Sequence, residues 1–219
     1  MLSTVLSGHV SLPELIALLL SSLFVIFVTM PVHEFFHAFA AYKLGDNTAK
    51  YSGRLTLNPL AHIDILGAVL IILVGFGFAK PVPVNQYNFK NPKRDMAIVG
   101  LAGPLSNFVL AFILFIISTV FGYFNQVFLY LFFFYAGYIN IVLASFNLIP
   151  LPPMDGSRIL FAVLPDRIYY KIQAYERQIY YIVLALALFG FLDGVTGVIS
   201  GVLLNICEFI INGIFKLFI

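Results

Sequence analysis

Long apolar runs separated by short polar stretches dominate this chain. They fall at about residues 12–44, 65–79, 96–121, 127–149, 178–192 and 195–215. About 20 apolar residues in a helix cross the roughly 30 Å hydrocarbon core of a bilayer. The runs recur along the whole length, with no polar block of soluble-domain size between them. The pattern predicts an all-α polytopic membrane protein, with residues 1–219 forming one membrane-embedded domain and residues 178–216 its C-terminal helices.

The breaks are as informative as the runs. Residues 45–64 are rich in Gly, Asn and Thr, and residues 80–95 contain Pro81, Pro83 and Pro92, which no continuous helix accommodates. Tight turns are expected at residues 122–126 and at Asp193-Gly194. Pro31, inside the first run, removes one amide donor and should loosen the helix there, which membrane helices tolerate when neighbours satisfy the freed carbonyl. The first ten residues carry no Lys or Arg, and the apolar run continues into the motif described below. It therefore reads as a retained span and not as a cleaved leader.

Positive charge sets the crossing pattern, because cytoplasmic loops carry the excess of Lys and Arg. Lys43, Lys50 and Arg54 precede the 65–79 stretch, and Lys80, Lys90, Lys93 and Arg94 follow it. A full crossing by that short, Gly-containing stretch would separate the two groups; a re-entrant dip keeps them on one face. The other basic residues, Arg158, Arg167, Lys171, Arg177 and Lys216, then reach the same face. The expectation is five transmembrane helices plus one re-entrant hairpin, with the N-terminus outside and the C-terminus in the cytoplasm; six spans is the alternative.

Composition agrees: 61% of residues are apolar, 10% are charged, and the mean hydropathy is +1.00. A net charge of +2 gives no basis for nucleic-acid binding. The single cysteine, Cys207, excludes an internal disulfide and reads as a packing residue.

Against this background His33, Glu34 and His37 stand out, in Pro31-Val-His-Glu-Phe-Phe-His-Ala38. This is an HExxH pattern at membrane depth. Residues four apart share one helix face, so both imidazoles can reach one zinc ion with Glu34 near its open side. Catalytic zinc takes a third protein ligand, and Asp155 is the strongest candidate. It lies in Asn147-Leu-Ile-Pro-Leu-Pro-Pro-Met-Asp-Gly156, whose three prolines break the fourth apolar run. Irregular backbone at membrane depth lines a cavity or is buried in protein, and an acidic group there needs a cation or a hydrogen-bond network. Counting back from Lys43, helix rise puts the histidines about 10–15 Å inside the same face. The plainer alternative for Asp155 is a turn or helix cap.

Three ordered motifs carry a resemblance. His33-Glu-Phe-Phe-His37, then Ala102-Gly-Pro-Leu-Ser-Asn107, then Phe146-Asn-Leu-Ile-Pro-Leu-Pro-Pro-Met-Asp-Gly156 resemble the site-2 protease family of intramembrane zinc metalloproteases. Gly53-Arg-Leu-Thr-Leu-Asn-Pro59 and Ala79-Lys-Pro-Val-Pro-Val84 resemble its compact prokaryotic branch without a PDZ domain. The match covers a core of about residues 29–158. The resemblance implies one zinc per chain on His33, His37 and Asp155, Glu34 as the catalytic glutamate and Asn147 near the bound substrate. Met154 stands where the family usually has Leu, an apolar swap of similar volume.

The chemistry these residues suit is hydrolysis of a peptide bond in or near a transmembrane helix. Zinc activates a water, Glu34 moves its proton, and the Asn147 amide donates to the developing oxyanion. Asn140, on roughly the same helix face as Asn147, is a second candidate donor. Expected partners are transmembrane protein substrates in the lipid bilayer, with Gly, Asn or Pro near the cut because the helix must unwind. Asn107 reads equally as a packing residue beside Gly103-Pro104 or as a functional one. His9 and His62 are expected at interfaces, not as ligands. A membrane zinc carrier would spread its ligands along a path over several helices, and a non-catalytic adaptor would have no use for Glu34.

Overall fold

The computed structural model describes residues 11–74 and 79–216, which form helices and connecting loops with no strand. The expectation for His9 and the 75–78 part of the stretch expected to re-enter lie outside these residues. The chain is an all-helical polytopic membrane protein. Among the described residues, four helices are long and apolar enough to cross a membrane: α1 (Leu12–Lys43), α5 (Pro92–Tyr123), α6 (Val127–Asn147) and α10 (Asp193–Phe215). Between them lie α2 (Thr48–Tyr51), α3 (Pro59–His62), α4 (Ile65–Val74), α7 (Gly156–Val163), α8 (Asp166–Ala174) and the shorter apolar α9 (Glu176–Leu188).

Each boundary of α1 has a local cause. Ser11 caps its start in a reciprocal box with Glu14, whose Oε2 accepts the Ser11 N–H at 2.8 Å. The loosening expected from Pro31 takes the form of a π turn over Val25–Thr29, after which the helix continues. Gly45 ends it at φ +110°, a conformation that suits glycine. There the Asp46 N–H reaches the Ala41 carbonyl at 2.9 Å and the Gly45 N–H reaches that of Tyr42 at 3.2 Å, the paired closure of a Schellman motif.

Asp46 then anchors the return. Fully buried, it accepts from the Thr48 N–H at 3.0 Å, the Asn85 N–H at 2.8 Å and Asn88 Nδ2 at 2.7 Å. Burial alone would raise its pKa, but these hydrogen bonds and the Thr48 hydroxyl outweigh burial and hold the carboxyl below its ordinary value. The polar loop of residues 80–95 is shorter than expected. Pro92 opens α5, because a residue without an N–H costs nothing in the first turn, so Lys93, Arg94 and Asp95 are helical. The stretch around residues 158–177, expected as a connection, contains α7 and α8, both amphipathic.

The core forms where the long helices meet. Val25, Ile26 and Met30 of α1 pack with Ile71 of α4 and with Ile139 and Leu143 of α6. Ala111 and Phe115 of α5, Ile141 of α6 and Cys207 and Ile211 of α10 form a second cluster, where Cys207 is a packing residue. Inside the α1–α6 contact lies Asn140, completely buried, its Nδ2 donating to Thr29 Oγ1 at 3.1 Å and to the Ala136 carbonyl at 2.8 Å. Both amide hydrogens are thereby used, so Asn140 straps helices together and is no candidate oxyanion donor. Outward faces expose Phe27, Val109, Ile113, Val198 and Phe209, as a lipid environment permits.

A Cβ at position 45 would meet only the Asn88 carbonyl oxygen, at an ordinary 3.6 Å, so backbone strain is the main cost of adding one. Gly45→Ala is expected to destabilise the protein by about 1–2 kcal/mol. Thermal unfolding in detergent should read this as a lowered midpoint with the activity of the folded fraction unchanged.

Candidate metal centre

His33 and His37 sit one turn apart on α1 with rings 4.6 Å between centroids, and each is 8% exposed or less. Their Nε2 atoms approach to 2.9 Å. Asp155, 118 residues further along from His37, brings its Oδ2 to 3.2 Å from each. Asp155 occupies the N-cap position of α7, yet its side chain makes no cap hydrogen bond. It faces the imidazoles instead, which removes the capping alternative.

The donor set fits a metal. His37 Nδ1 lies 2.7 Å from the Val99 carbonyl oxygen. A carbonyl only accepts, so Nδ1 carries the hydrogen and Nε2 presents its lone pair to the cluster. A carboxylate oxygen and imidazole nitrogens converging in this way repel one another unless a cation or proton lies between them. Their spacing of 2.9–3.2 Å is close to the roughly 3.3 Å edge of a tetrahedron with bonds of about 2.0 Å. Two imidazoles and one carboxylate leave a fourth position free, as catalytic zinc sites do. Among the described residues these three form the one group of His, Cys, Asp or Glu able to share an ion. His33 lacks an outer partner: its Nδ1 is buried with none among the described residues.

Glycines make the approach possible. A Cβ on Gly103 of α5 would fall 2.3 Å from His37 Nε2 and 2.6 Å from His33 Nε2. On Gly156 it would fall 2.3 Å from the Leu148 carbonyl oxygen, and on Gly100 2.8 Å from the Asp155 carbonyl oxygen. Thus α5 lies flush against the histidine face, and the proline-broken return folds tightly enough to aim Asp155 at it.

Glu34 borders the same centre, with Oε2 accepting the Val82 N–H at 3.0 Å. A cavity of about 350 Å³ opens over His33, Glu34, His37 and Asp155 and is bounded by Lys80–Val82, α6 and α9. Asn147 lines it, with Nδ2 donating to the Leu143 carbonyl at 3.0 Å, which leaves one amide hydrogen without a partner among the described residues. Asn107 also lines it; it is almost wholly buried, and its Oδ1 has no partner among the described residues.

His62 is completely buried, bonded to Arg54 and to the Thr56 carbonyl, and lies outside the group able to share an ion. Burial, helped by the Arg54 charge, holds its pKa below the ordinary histidine value. Sequence reasoning missed Arg54 and Val82 as neighbours of the site. The Gly53-to-Pro59 and Ala79-to-Val84 strings that carry them were visible, but not that they meet.

Fold and site together define a polytopic membrane protein with a metal-binding HExxH helix. The sequence model of peptidase family M50 matches residues 21–129 and 122–190, and the chain belongs to this family, the site-2 proteases. Three relatives carry the name putative zinc metalloprotease. YwhC of Bacillus subtilis is 44% identical over 156 residues, covering 68% of this chain and 71% of YwhC. Rip2 of Mycolicibacterium smegmatis is 32% identical over 134 residues, 59% of this chain and 51% of Rip2. MJ0611 of Methanocaldococcus jannaschii is 34% identical over 131 residues, 58% of this chain and 62% of MJ0611. No solved structure matches the chain. The family is one of membrane zinc metalloproteases, and zinc is the metal it implies.

Because Gly103 has no room for a side chain, Gly103→Ala should push the two imidazoles out of register. An affinity loss of about 10- to 100-fold is expected, the range seen when the support of metal ligands is disturbed. Zinc measured per chain by elemental analysis after equilibration with a chelator buffer checks it.

Proposed function

We propose that this chain is an intramembrane zinc endopeptidase that cleaves transmembrane helices of other membrane proteins. The observation that carries the reading is the convergence of His33 Nε2, His37 Nε2 and Asp155 Oδ2 within 2.9–3.2 Å of one another, in a buried cavity that Glu34 also lines. One zinc per chain is held by these three residues. When bound, zinc supplies Lewis acidity to a water molecule and to the scissile carbonyl.

The chain's own residues do the rest. Glu34 has Oε2 tied to the Val82 N–H, while Oε1 has no hydrogen-bond partner among the described residues. It takes the water's proton on Oε1 and returns it to the leaving amine. Asn147 keeps its carboxamide fixed through Leu143 and offers its second N–H to the developing oxyanion. The cavity walls shield the reacting groups from lipid. Substrate helices must unwind before an amide can reach Glu34, since a helix ties its amides in its own hydrogen bonds; Gly, Asn or Pro near the cut lowers that cost.

Residues 1–219 act as one catalytic domain, with its centre toward the cytoplasmic side. Five spans and a re-entrant 65–79 stretch place the N-terminus outside. The distribution of all twelve Lys and Arg supports this orientation.

Glu34→Gln should retain zinc and lose cleavage by at least about 10²- to 10⁴-fold, whereas His37→Ala or Asp155→Ala should lose both. Zinc analysis alongside cleavage of a single-span helical substrate in vesicles decides it, and zinc-loaded Glu34→Gln with full activity would sink the reading. Topology is a separate test: a reporter fused after Lys90 should read cytoplasmic, and an external signal rejects the re-entrant arrangement.

A further inference from the structure

Glu34 depends on one backbone amide, and that amide belongs to a segment with little to hold it. Residues 79–84 are neither helix nor strand, and Pro81 and Pro83 offer no N–H. The Val82 N–H nonetheless meets Glu34 Oε2 at 3.0 Å, a contact that a small displacement would break.

Bonds from the neighbouring loop fix it. Arg54, only 8% exposed, donates through its Nη2 to the Lys80 carbonyl and through its Nη1 to the Pro81 carbonyl at 3.2 Å. The Lys80 N–H in turn donates to the His62 carbonyl at 2.8 Å. The guanidinium is steadied from behind: its Nη2 lies 3.3 Å from His62 Nδ1, and His62 Nε2 lies 2.8 Å from the Thr56 carbonyl oxygen. Since a carbonyl only accepts, Nε2 bears the hydrogen and Nδ1 offers its lone pair to Arg54. Every partner of this buried cation is neutral, and among the described residues no carboxylate pairs with it. Burying a guanidinium without a direct ion pair is a poor route to stability, so another reason for its presence is needed.

We infer that Arg54 is a positioning residue for proteolysis. By pinning the Lys80 and Pro81 carbonyls it fixes the Val82 N–H that orients the Glu34 carboxylate. The planar fork suits the task, because one guanidinium can hold two successive carbonyls while an ammonium is a single point charge. The inference rests on the reading of Glu34 as the proton carrier, and it joins the Gly53-to-Pro59 and Ala79-to-Val84 strings into one device.

The test uses the full chain in vesicles with a single-span helical substrate, comparing the parent with Arg54→Gln, Arg54→Lys and Glu34→Gln. For Arg54→Gln, kcat should fall about 10- to 100-fold, with KM within about twofold, zinc per chain as in the parent and the protein still folded at the assay temperature. Arg54→Lys should recover part of kcat. Parent-like kcat in Arg54→Gln, with Glu34→Gln inactive, overturns the positioning role alone. So does a rise in KM at constant kcat, which assigns the segment to substrate binding. Joint loss of zinc and thermal stability in both Arg54 variants overturns it too, making Arg54 a structural clamp. Full activity of Glu34→Gln overturns the proteolytic reading itself, whatever the Arg54 variants do.

Discussion

The rest of the structure depends on the convergence of two imidazole nitrogens and a carboxylate oxygen in a buried pocket of a membrane protein. Three such atoms about 3 Å apart are mutually repulsive in a low-dielectric setting unless positive charge sits among them. The fold goes to some length to make them meet. One helix supplies both rings at i and i+4, a span is broken by prolines to return a carboxylate, and a third helix gives up side chains at Gly100 and Gly103 to let the pieces close. These features are hard to account for unless the cluster holds a cation.

Much of this was legible in the sequence, because membrane insertion leaves few ways to explain a polar group. The apolar runs marked the long helices to within a few residues. The HExxH spacing put the imidazoles on one face, and the prolines before Asp155 marked the return. What could not be read was anything decided by side-chain choice between neighbouring loops. Asn140 and Asn147 sit on the same helix in similar sequence surroundings, yet the first spends both amide hydrogens on Thr29 and Ala136 and the second keeps one. His62 is completely buried beside Arg54, eight residues earlier, a contact that no periodicity reveals. The two amphipathic helices after Asp155 were hidden for a related reason: short helices stabilised by the surface they lie on give a weak local signal.

The loops also show how segments without long elements are held in place. Residues 45–64 and 79–91 contain no long element, but buried polar side chains tie them together: Asp46 to Asn85 and Asn88, and Arg54 to Lys80 and Pro81. Both ties run from side chains of the first segment mainly to backbone of the second. Such bonds constrain main-chain position directly, and each removes a donor or acceptor that would be costly to leave unpaired under apolar cover.

That arrangement bears on the role proposed for Glu34 as proton carrier. A carboxylate beside a metal-ligand cluster is drawn toward any cation held there, and a Glu that coordinated the ion would surrender the oxygen needed for proton transfer. A fixed backbone N–H resolves the conflict. The Val82 amide satisfies one oxygen of Glu34 with a neutral donor that cannot itself titrate, leaving the other oxygen for chemistry. An Arg or Lys placed directly on Glu34 would satisfy it as well, but at the expense of its basicity. Setting the Arg54 charge one step back, on carbonyls, supplies rigidity without a direct ion pair to Glu34. On the proposed reading, the geometry separates two tasks that a single charged contact would confound: holding the carboxylate still and leaving one of its oxygens free for proton transfer.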